Sequence, residues 1–321
     1  MQLKVSILIP IYGVEKYIER CLCSLFEQTY KDIEYIFVDD CTFDKSSMIL
    51  YDIVAKYPER ARSVVIIRNE KNLGIAAVRN ILLKNATGHF LYFVDSDDWI
   101  ERECITELVN KAIFINADIV GCDFYEEEKD RQIYVKQQFP FTAEECLCKI
   151  LYQDLKTVLW NKLIRKSLFE DSNLYFEPGI NLGEDYIMCV KLYSCAKIVS
   201  SVSKPLYHYC KYNEYSYTKI YDQNYSPIIC MIDKAEEYCR NIGNYNRVQK
   251  YINMRKFILK QKIYYQNRNT KFWYTLYPEA NHAWIYFDFN RKMQFLYWSL
   301  EHKFTLFLDI LWRIKKFLGK K

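Results

Sequence analysis

The chain has 321 residues, half of them hydrophobic, 26% charged and 17% aromatic, with a net charge of +5. That length holds one large core, or one core plus a smaller domain, and the balance is that of a globular protein, not of a disordered or nucleic-acid-binding chain. No apolar run approaches the ~18 residues of a membrane span, and the 12 cysteines contain no Cys-x-x-Cys pair, so a metal finger is excluded. With no signal peptide before Val5, the thiols read as free and cytosolic. The whole net charge sits at one end: residues 271–321 carry nine Lys/Arg against four Asp/Glu, a basic tail on a neutral body.

The elements alternate along the first hundred residues. Val5–Ile9 reads as a strand ending in Pro10, and Glu15–Gln28 as a helix with Ile18, Leu22, Leu25 and Phe26 at helical spacing. Ile33–Val38 is a second strand ending in Asp39-Asp40, Lys45–Lys56 a helix, Val64–Ile67 a third strand, and Ile75–Leu83 a helix after Gly74. Phe90–Val94 is a fourth, fully apolar strand. Such alternation with short links predicts a mostly parallel sheet flanked by helices, an α/β fold of Rossmann-like type. Beyond residue 118 we expect a strand over Asp118–Phe124, a charged loop over Glu126–Arg131, and helices over Ala143–Leu155 and Val158–Phe169. A further helix opens at Gly183-Glu184-Asp185 and runs to about Ala196, Pro205–Tyr217 has no clear period, and helices fill residues 225–268.

Polar residues gather where strands end. Pro10-Ile-Tyr12 follows strand one, Asp39-Asp40 strand two, and Asp95-Ser-Asp97-Asp98 strand four. The carboxyl edge of an open α/β sheet is where ligands bind. Adjacent carboxylates repel, and a divalent cation is the simplest group to join them; oxygen ligands suit Mg²⁺ or Mn²⁺, which bridge carboxylates to phosphates. The residues therefore point to a metal-dependent enzyme acting on a nucleotide diphosphate.

Taken together, Val5-Ser-Ile-Leu-Ile-Pro-Ile-Tyr12, Cys21-Leu-Cys-Ser-Leu-Phe-Glu-Gln-Thr-Tyr30, Ile36-Phe-Val-Asp-Asp40, Asn72-Leu-Gly-Ile-Ala-Ala-Val-Arg-Asn80 and Phe93-Val-Asp-Ser-Asp-Asp98 come in the order and spacing of family 2 glycosyltransferases, which the chain resembles. The likeness continues through Trp160-Asn-Lys-Leu and Gly183-Glu-Asp185 to about residue 218. It implies the GT-A fold, a nucleotide-activated donor, inversion at the anomeric centre and a role in bacterial surface polysaccharide or lipid-linked oligosaccharide synthesis. It also implies a GT-A catalytic domain over residues 1–218, with 1–100 the nucleotide-sugar half and 101–218 the acceptor half, and a helical region over 219–321.

By resemblance, Asp97 binds Mn²⁺ or Mg²⁺, with Asp95 beside it and near the ribose, and His208 falls where some relatives contact metal or phosphate. Pro10, Tyr12 and Asp39 line the base pocket of a UDP-sugar, Tyr12 against the ring and Asp39 accepting from a uracil N–H, with Asp40 supporting the turn. Asp185 matches the family's base, which takes the acceptor's proton, and Glu184 is its neighbour at the helix start. Arg79 either contacts donor phosphates or ties its helix to nearby carboxylates, and Lys211 is a second diphosphate candidate. Trp160 and Asn161 resemble the acceptor wall, the alternative for Trp160 being core. Two positions depart from the family: Gly13 stands for its Asn, and Cys41-Thr42 for its Gly-Ser.

Finally, Phe304, Phe307, Leu308, Leu311, Ile314 and Leu318 recur at helical spacing among lysines and arginines. This is the pattern of a helix lying on an anionic membrane, and it predicts a cytoplasmic protein held at the inner face of the cell membrane, acting on a saccharide or lipid-linked acceptor. The competing classes are a sugar-nucleotide pyrophosphorylase, whose Gly-rich basic loop is absent after strand one, and a sugar-binding or scaffold protein without activity.

Overall fold

The computed structural model describes residues 3–213, 225–267 and 270–304. In chain order these form β1 (Val5–Ile11), α1 (Ile18–Phe26), β2 (Ile33–Asp39), α2 (Ser46–Lys56), α3 (Pro58–Ala61), β3 (Val64–Arg68), α4 (Ile75–Asn85), β4 (Phe90–Phe93) and β5 (Trp99–Ile100). Then come α5 (Cys104–Ile115), β6 (Ile119–Glu127), β7 (Gln132–Val135), α6 (Ala143–Leu151), β8 (Lys162–Arg165), α7 (Ser167–Asp171), α8 (Glu184–Cys195) and β9 (Val199–Cys210). Helices α9 (Ser226–Asn241), α10 (Tyr245–Asn267) and α11 (Thr270–Thr275), a 3₁₀ segment (Pro278–Tyr286) and α12 (Arg291–Glu301) follow.

The chain parts into two compact units, one holding residues up to 150 with 154–235, the other 151–153 with the chain from 236 onward. The first is built on one sheet of order β3-β2-β1-β4-β8-β6-β9-β5, with β7 beside β6. Strands β3, β2, β1 and β4 are parallel, as the alternating helices require. The sheet as a whole is mixed: β8 runs antiparallel between β4 and β6, and β5 pairs antiparallel with β9. Its core is the apolar face of β1, β2 and β4 packed on α1 and α5 through residues such as Ile7, Leu22, Phe37, Tyr92 and Leu108.

Four expectations are corrected here. Val158–Phe169 is not a helix; it holds β8, which is short, central and covered on both faces, so it lacks the alternation that marks a half-buried strand. The stretch from Pro205 belongs to the long strand β9, whose pairing with β6 slips between Cys122 and Phe124, where Pro205 enters the ladder; a bulge of this kind breaks the period. Glu126 and Glu127 end β6, so the charged loop is the tip of a hairpin into β7. Helix α6 stops at Leu151 instead of Leu155.

The second unit is helical, with a core of Phe257, Tyr264, Trp273, Ala283, Tyr297 and Leu300. Within it, the buried Lys260 amine donates to the carbonyls of Leu276 (2.7 Å) and Tyr277 (2.9 Å) and closes the turn into the 3₁₀ segment. Apart from Phe304, the basic apolar stripe expected over 304–318 lies outside the described residues. No described helix is long and apolar enough to cross a membrane.

At the amino ends of the strands, buried Glu34 accepts from Ser6 Oγ (2.5 Å), Thr87 N (2.6 Å), Thr87 Oγ1 (2.7 Å) and Gly88 N (3.1 Å), and meets Lys4 at 2.6 Å. Burial alone would push its carboxyl up, but the hydrogen bonds from Lys4, Ser6 and Thr87 outweigh it and hold it at about 2. Because the folded value is depressed, the stabilisation is complete above the unfolded value of 4.5 and is lost as pH falls towards 2. It is worth about 3 kcal/mol at neutral pH. Glu34→Gln should therefore destabilise the protein at pH 6, and the gap from wild type should narrow by about 2 kcal/mol at pH 3, as read by urea unfolding. A gap that does not change with pH would remove Glu34 from this role.

Candidate active site

Because β2, β1 and β4 are parallel neighbours, their carboxyl ends open on one edge, and the loops after them carry Tyr12, Asp39-Asp40 and Asp95–Asp98. Asp40 organises that edge. One of its oxygens accepts from Asn69 Nδ2 (2.7 Å) and Leu73 N (2.9 Å), the other from Gly74 N (2.9 Å). This closes the loop from β3 and starts α4. Gly74 takes φ +82°, and a Cβ there would lie 2.5 Å from the Asn181 side chain, so only glycine fits.

Helix α4 then aims Arg79 across the site. Its Nη1 donates to Glu184 (2.7 Å) and, at close range, to Asp185, both in the first turn of α8, while Nη2 lies 3.5 Å from Asp95. Asn80 fastens the same helix by exchanging two hydrogen bonds with the Phe176 backbone (2.7 and 2.8 Å). One buried guanidinium thus joins carboxylates that are about ninety positions apart in sequence. Of the two roles considered for Arg79, the tie to carboxylates is the one with contacts here.

The electrostatics follow from burial. Loss of water pushes Asp185 up to about 7; Arg79 opposes this, and the charges on Glu184 and Asp95 add to it. Asp97 is pushed up to about 6, first by burial and then by Asp95, against a hydrogen bond from Asn213 Nδ2 (2.8 Å). Asp95 is raised by burial and held back by Arg79. For Arg79 itself, burial disfavours the charge, but its three carboxylates outweigh that and fix it as a cation.

Asp98 belongs to the scaffold. It accepts from Tyr207 Oη (2.7 Å) and Cys210 N (2.7 Å), and Tyr207 Oη also accepts from Asp95 N (3.2 Å). Burial and the charges of Asp97 and Asp95 push its carboxyl far up, so it clamps the acidic loop to β9. Among the described residues no group of three or more His, Cys, Asp or Glu side chains closes around an ion site.

The remaining expected residues separate into those at the edge and those elsewhere. Pro10 is the next-to-last residue of β1, and Tyr12, just past the strand, is half exposed. Asp39 is buried beneath the loop it shapes, accepting from Thr42 N (2.7 Å) and Ser47 Oγ, with Arg68 Nε at 3.4 Å. His208 does not face the acidic loop as a free ligand: Nδ1 pairs with Glu127 (2.8 Å) and Nε2 with Glu101 (3.0 Å), while its ring stacks on Trp99. Lys211 is paired with Glu126 (3.0 Å) and Glu128 (3.4 Å) at the β6–β7 hairpin. Trp160 is core, stacked on Tyr207 at 4.3 Å, and buried Asn161 donates to the Cys122 carbonyl (3.1 Å), so neither forms a wall. Glu184 is spent on Arg79.

Two residues at this edge were not singled out in the sequence reading. Asn213, the partner of Asp97, follows a strand that was not expected. Phe43, 80% exposed, sits in the loop after Asp39-Asp40; an aromatic inside a run of Asp, Thr and Ser was the signal available.

The family model described as Glycosyl transferase family 2 matches residues 6–172. The chain is 36% identical over 225 residues to the uncharacterized glycosyltransferase EpsJ of Bacillus subtilis, covering 67% of this chain and 63% of EpsJ. It is 30% identical over 220 residues to the poly(ribitol-phosphate) beta-N-acetylglucosaminyltransferase TarS of Staphylococcus aureus, covering 66% of this chain and 36% of TarS. It thus spans under two thirds of such relatives. Among solved structures, S. aureus TarS 1–349 in complex with UDP-GlcNAc superposes with a TM-score of 0.71 at 22% identity, over 88% of this chain and 81% of that one. The Pyrobaculum calidifontis mannosyltransferase PcManGT in complex with GDP-Man and Mn²⁺ gives 0.56 at 13% identity, over 92% and 79%. At those identities the likeness speaks for the fold.

Proposed function

From the premise that the chain belongs to glycosyl transferase family 2, we propose that it moves a sugar from a UDP-sugar to a saccharide or lipid-linked acceptor with inversion, in cell-surface polysaccharide synthesis. The observation that carries this reading is the Arg79 bridge, which gathers Asp95, Glu184 and Asp185 at the carboxyl edge of the sheet. The UDP-GlcNAc bound by S. aureus TarS supports the choice of donor.

Asp185 is the base. Transfer requires a group that removes the acceptor hydroxyl proton as it attacks, and a carboxyl pushed up to about 7 is a far better proton acceptor than an ordinary aspartate. Arg79 keeps this carboxylate oriented in the first turn of α8, where the helix dipole also favours negative charge. Once Asp185 has taken the proton, Arg79 stays paired with Glu184 and Asp95, so the proton adds no unpaired charge to the site.

The Asp95–Asp97 pair suits a hard divalent cation. Asp97 is raised by burial and then by its neighbour's charge, its hydrogen-bond partner is the neutral Asn213, and the donors are all oxygen. Asp97 would hold Mn²⁺ or Mg²⁺ with Asp95 beside it, leaving other ligand positions to diphosphate oxygens and water. Such an ion supplies neutralisation of the charge that develops on the leaving diphosphate.

The tail supports a location. Lysines around the apolar stripe over 304–318 would gain roughly 1 kcal/mol each beside anionic headgroups, which would hold a cytoplasmic enzyme at the inner membrane face, close to a lipid-linked acceptor.

Three outcomes are expected. UDP should raise the melting temperature with Mn²⁺ or Mg²⁺ present and lose most of that effect in EDTA or in Asp97→Asn; equal stabilisation without metal would sink the metal-bridged site. Asp185→Asn should keep UDP binding but lose at least ~10²-fold in turnover, measured as UDP released from donor and acceptor; an unchanged rate would move the base elsewhere. The full chain should sediment with anionic liposomes at low salt and release as salt rises, whereas a chain ending after Lys303, which keeps the Tyr297 and Leu300 core contacts, should stay in the supernatant. Equal binding by both would assign the tail to the fold.

A further inference from the structure

Phe43 is a large apolar side chain left mostly in water on a loop that is cross-linked on all sides. Thr42 N donates to Asp39 (2.7 Å), and Thr42 Oγ1 both accepts from Gly13 N (2.9 Å) and donates to Asp44 (2.8 Å). Asp44 accepts from Glu15 N (2.9 Å), Ser46 Oγ accepts from Val14 N (3.1 Å), and Glu15 accepts from Lys45 N (3.1 Å). These bonds lock the loop after β2 to the loop after β1. Cys41 takes φ +59° to enter the turn, a backbone state that is unfavourable for a non-glycine residue and persists only where its surroundings hold it.

What this framework holds still is a pair of rings. Tyr12, 48% exposed, and Phe43 lie 5.6 Å apart at 74°, so their planes form a corner directly beyond Asp39-Asp40. Gly13 lies directly beneath the corner: it takes φ +68°, a conformation that favours glycine, and a Cβ there would stand in van der Waals contact with the Phe43 ring at 3.5 Å. Because the loop backbone is already fixed, covering Phe43 requires ordering only its own side chain.

We propose that Phe43 and Tyr12 together form the stacking corner for the donor's nucleobase, one ring against the base face and the other against its edge. The inference rests on the nucleotide-sugar reading above and adds Phe43, coupled to Gly13, as the residue that supplies the second surface. Base–aromatic stacking is tolerant of sequence but strong enough to decide affinity.

The test is titration calorimetry of the full-length protein with UDP and Mn²⁺. Phe43→Ala should weaken UDP about 10- to 100-fold with the melting temperature of the free protein unchanged, since the side chain is exposed. Phe43→Trp should restore most of the affinity, because it returns a flat ring. Tyr51→Ala removes another exposed aromatic, 58% exposed on α2, and should bind as wild type does. UDP binding by Phe43→Ala equal to wild type, or an equal loss in Tyr51→Ala, overturns the role of Phe43 and leaves the donor reading intact. A wild-type protein that binds neither UDP nor any other nucleoside diphosphate overturns both.

Discussion

The interaction on which the site depends is a single buried cation. Arg79 reaches from α4 to two carboxylates of α8 and one in the acidic loop after β4. Without it, three negative groups would face one another in a region from which water is largely excluded, and each would be driven towards its neutral form. With it, Asp95 and Asp185 are held together, burial raising both carboxyls and Arg79 holding both back. One guanidinium thus fixes three acidic groups from two separate parts of the chain.

The scaffold around this bridge is built from polar groups that are spent locally. Asp40 closes the loop that launches α4, Asp98 clamps the acidic loop to β9 through Tyr207 and Cys210, and Asn80 anchors α4 to the Phe176 backbone. Each satisfies buried donors or acceptors that would otherwise cost ~1–3 kcal/mol apiece. The consequence is that carboxylates adjacent in sequence have different surroundings: Asp97 meets the Asn213 amide, whereas Asp98 is committed to the fold through Tyr207 and Cys210. The same division separates Asp39, buried under its loop, from the exposed rings of Tyr12 and Phe43 above it.

Much of the first hundred residues was legible because parallel strands and amphipathic helices advertise their periods, and because the carboxyl edge of such a sheet is fixed by the direction of its strands. Ile75–Leu83, Phe90–Val94 and the helix opening at Glu184 stand in the structure within about two residues of where the pattern put them. The later strands were not legible. β8 is covered on both faces and β9 carries a bulge at Pro205, so neither repeats with period two. Trp160, Asn161 and His208 drew their expected places from the resemblance alone; here Trp160 is core, as its alternative reading had it, Asn161 is buried beside it, and His208 lies between Glu101 and Glu127.

By itself the sequence determined the family, the alternation of strands and helices, and which acidic residues lie at strand ends, since these depend on local spacing and on the chemistry of each side chain. Only the tertiary structure decided which of those residues meet. Arg79 and Asp185 are more than a hundred positions apart, and no local preference links them; they touch because Asp40 starts α4 at the carboxyl edge of the sheet and α4 carries Arg79 to the first turn of α8. The aromatic corner was decided in the same way. Phe43 is an unremarkable loop residue until hydrogen bonds between two loops thirty residues apart set its ring over Gly13 and beside Tyr12.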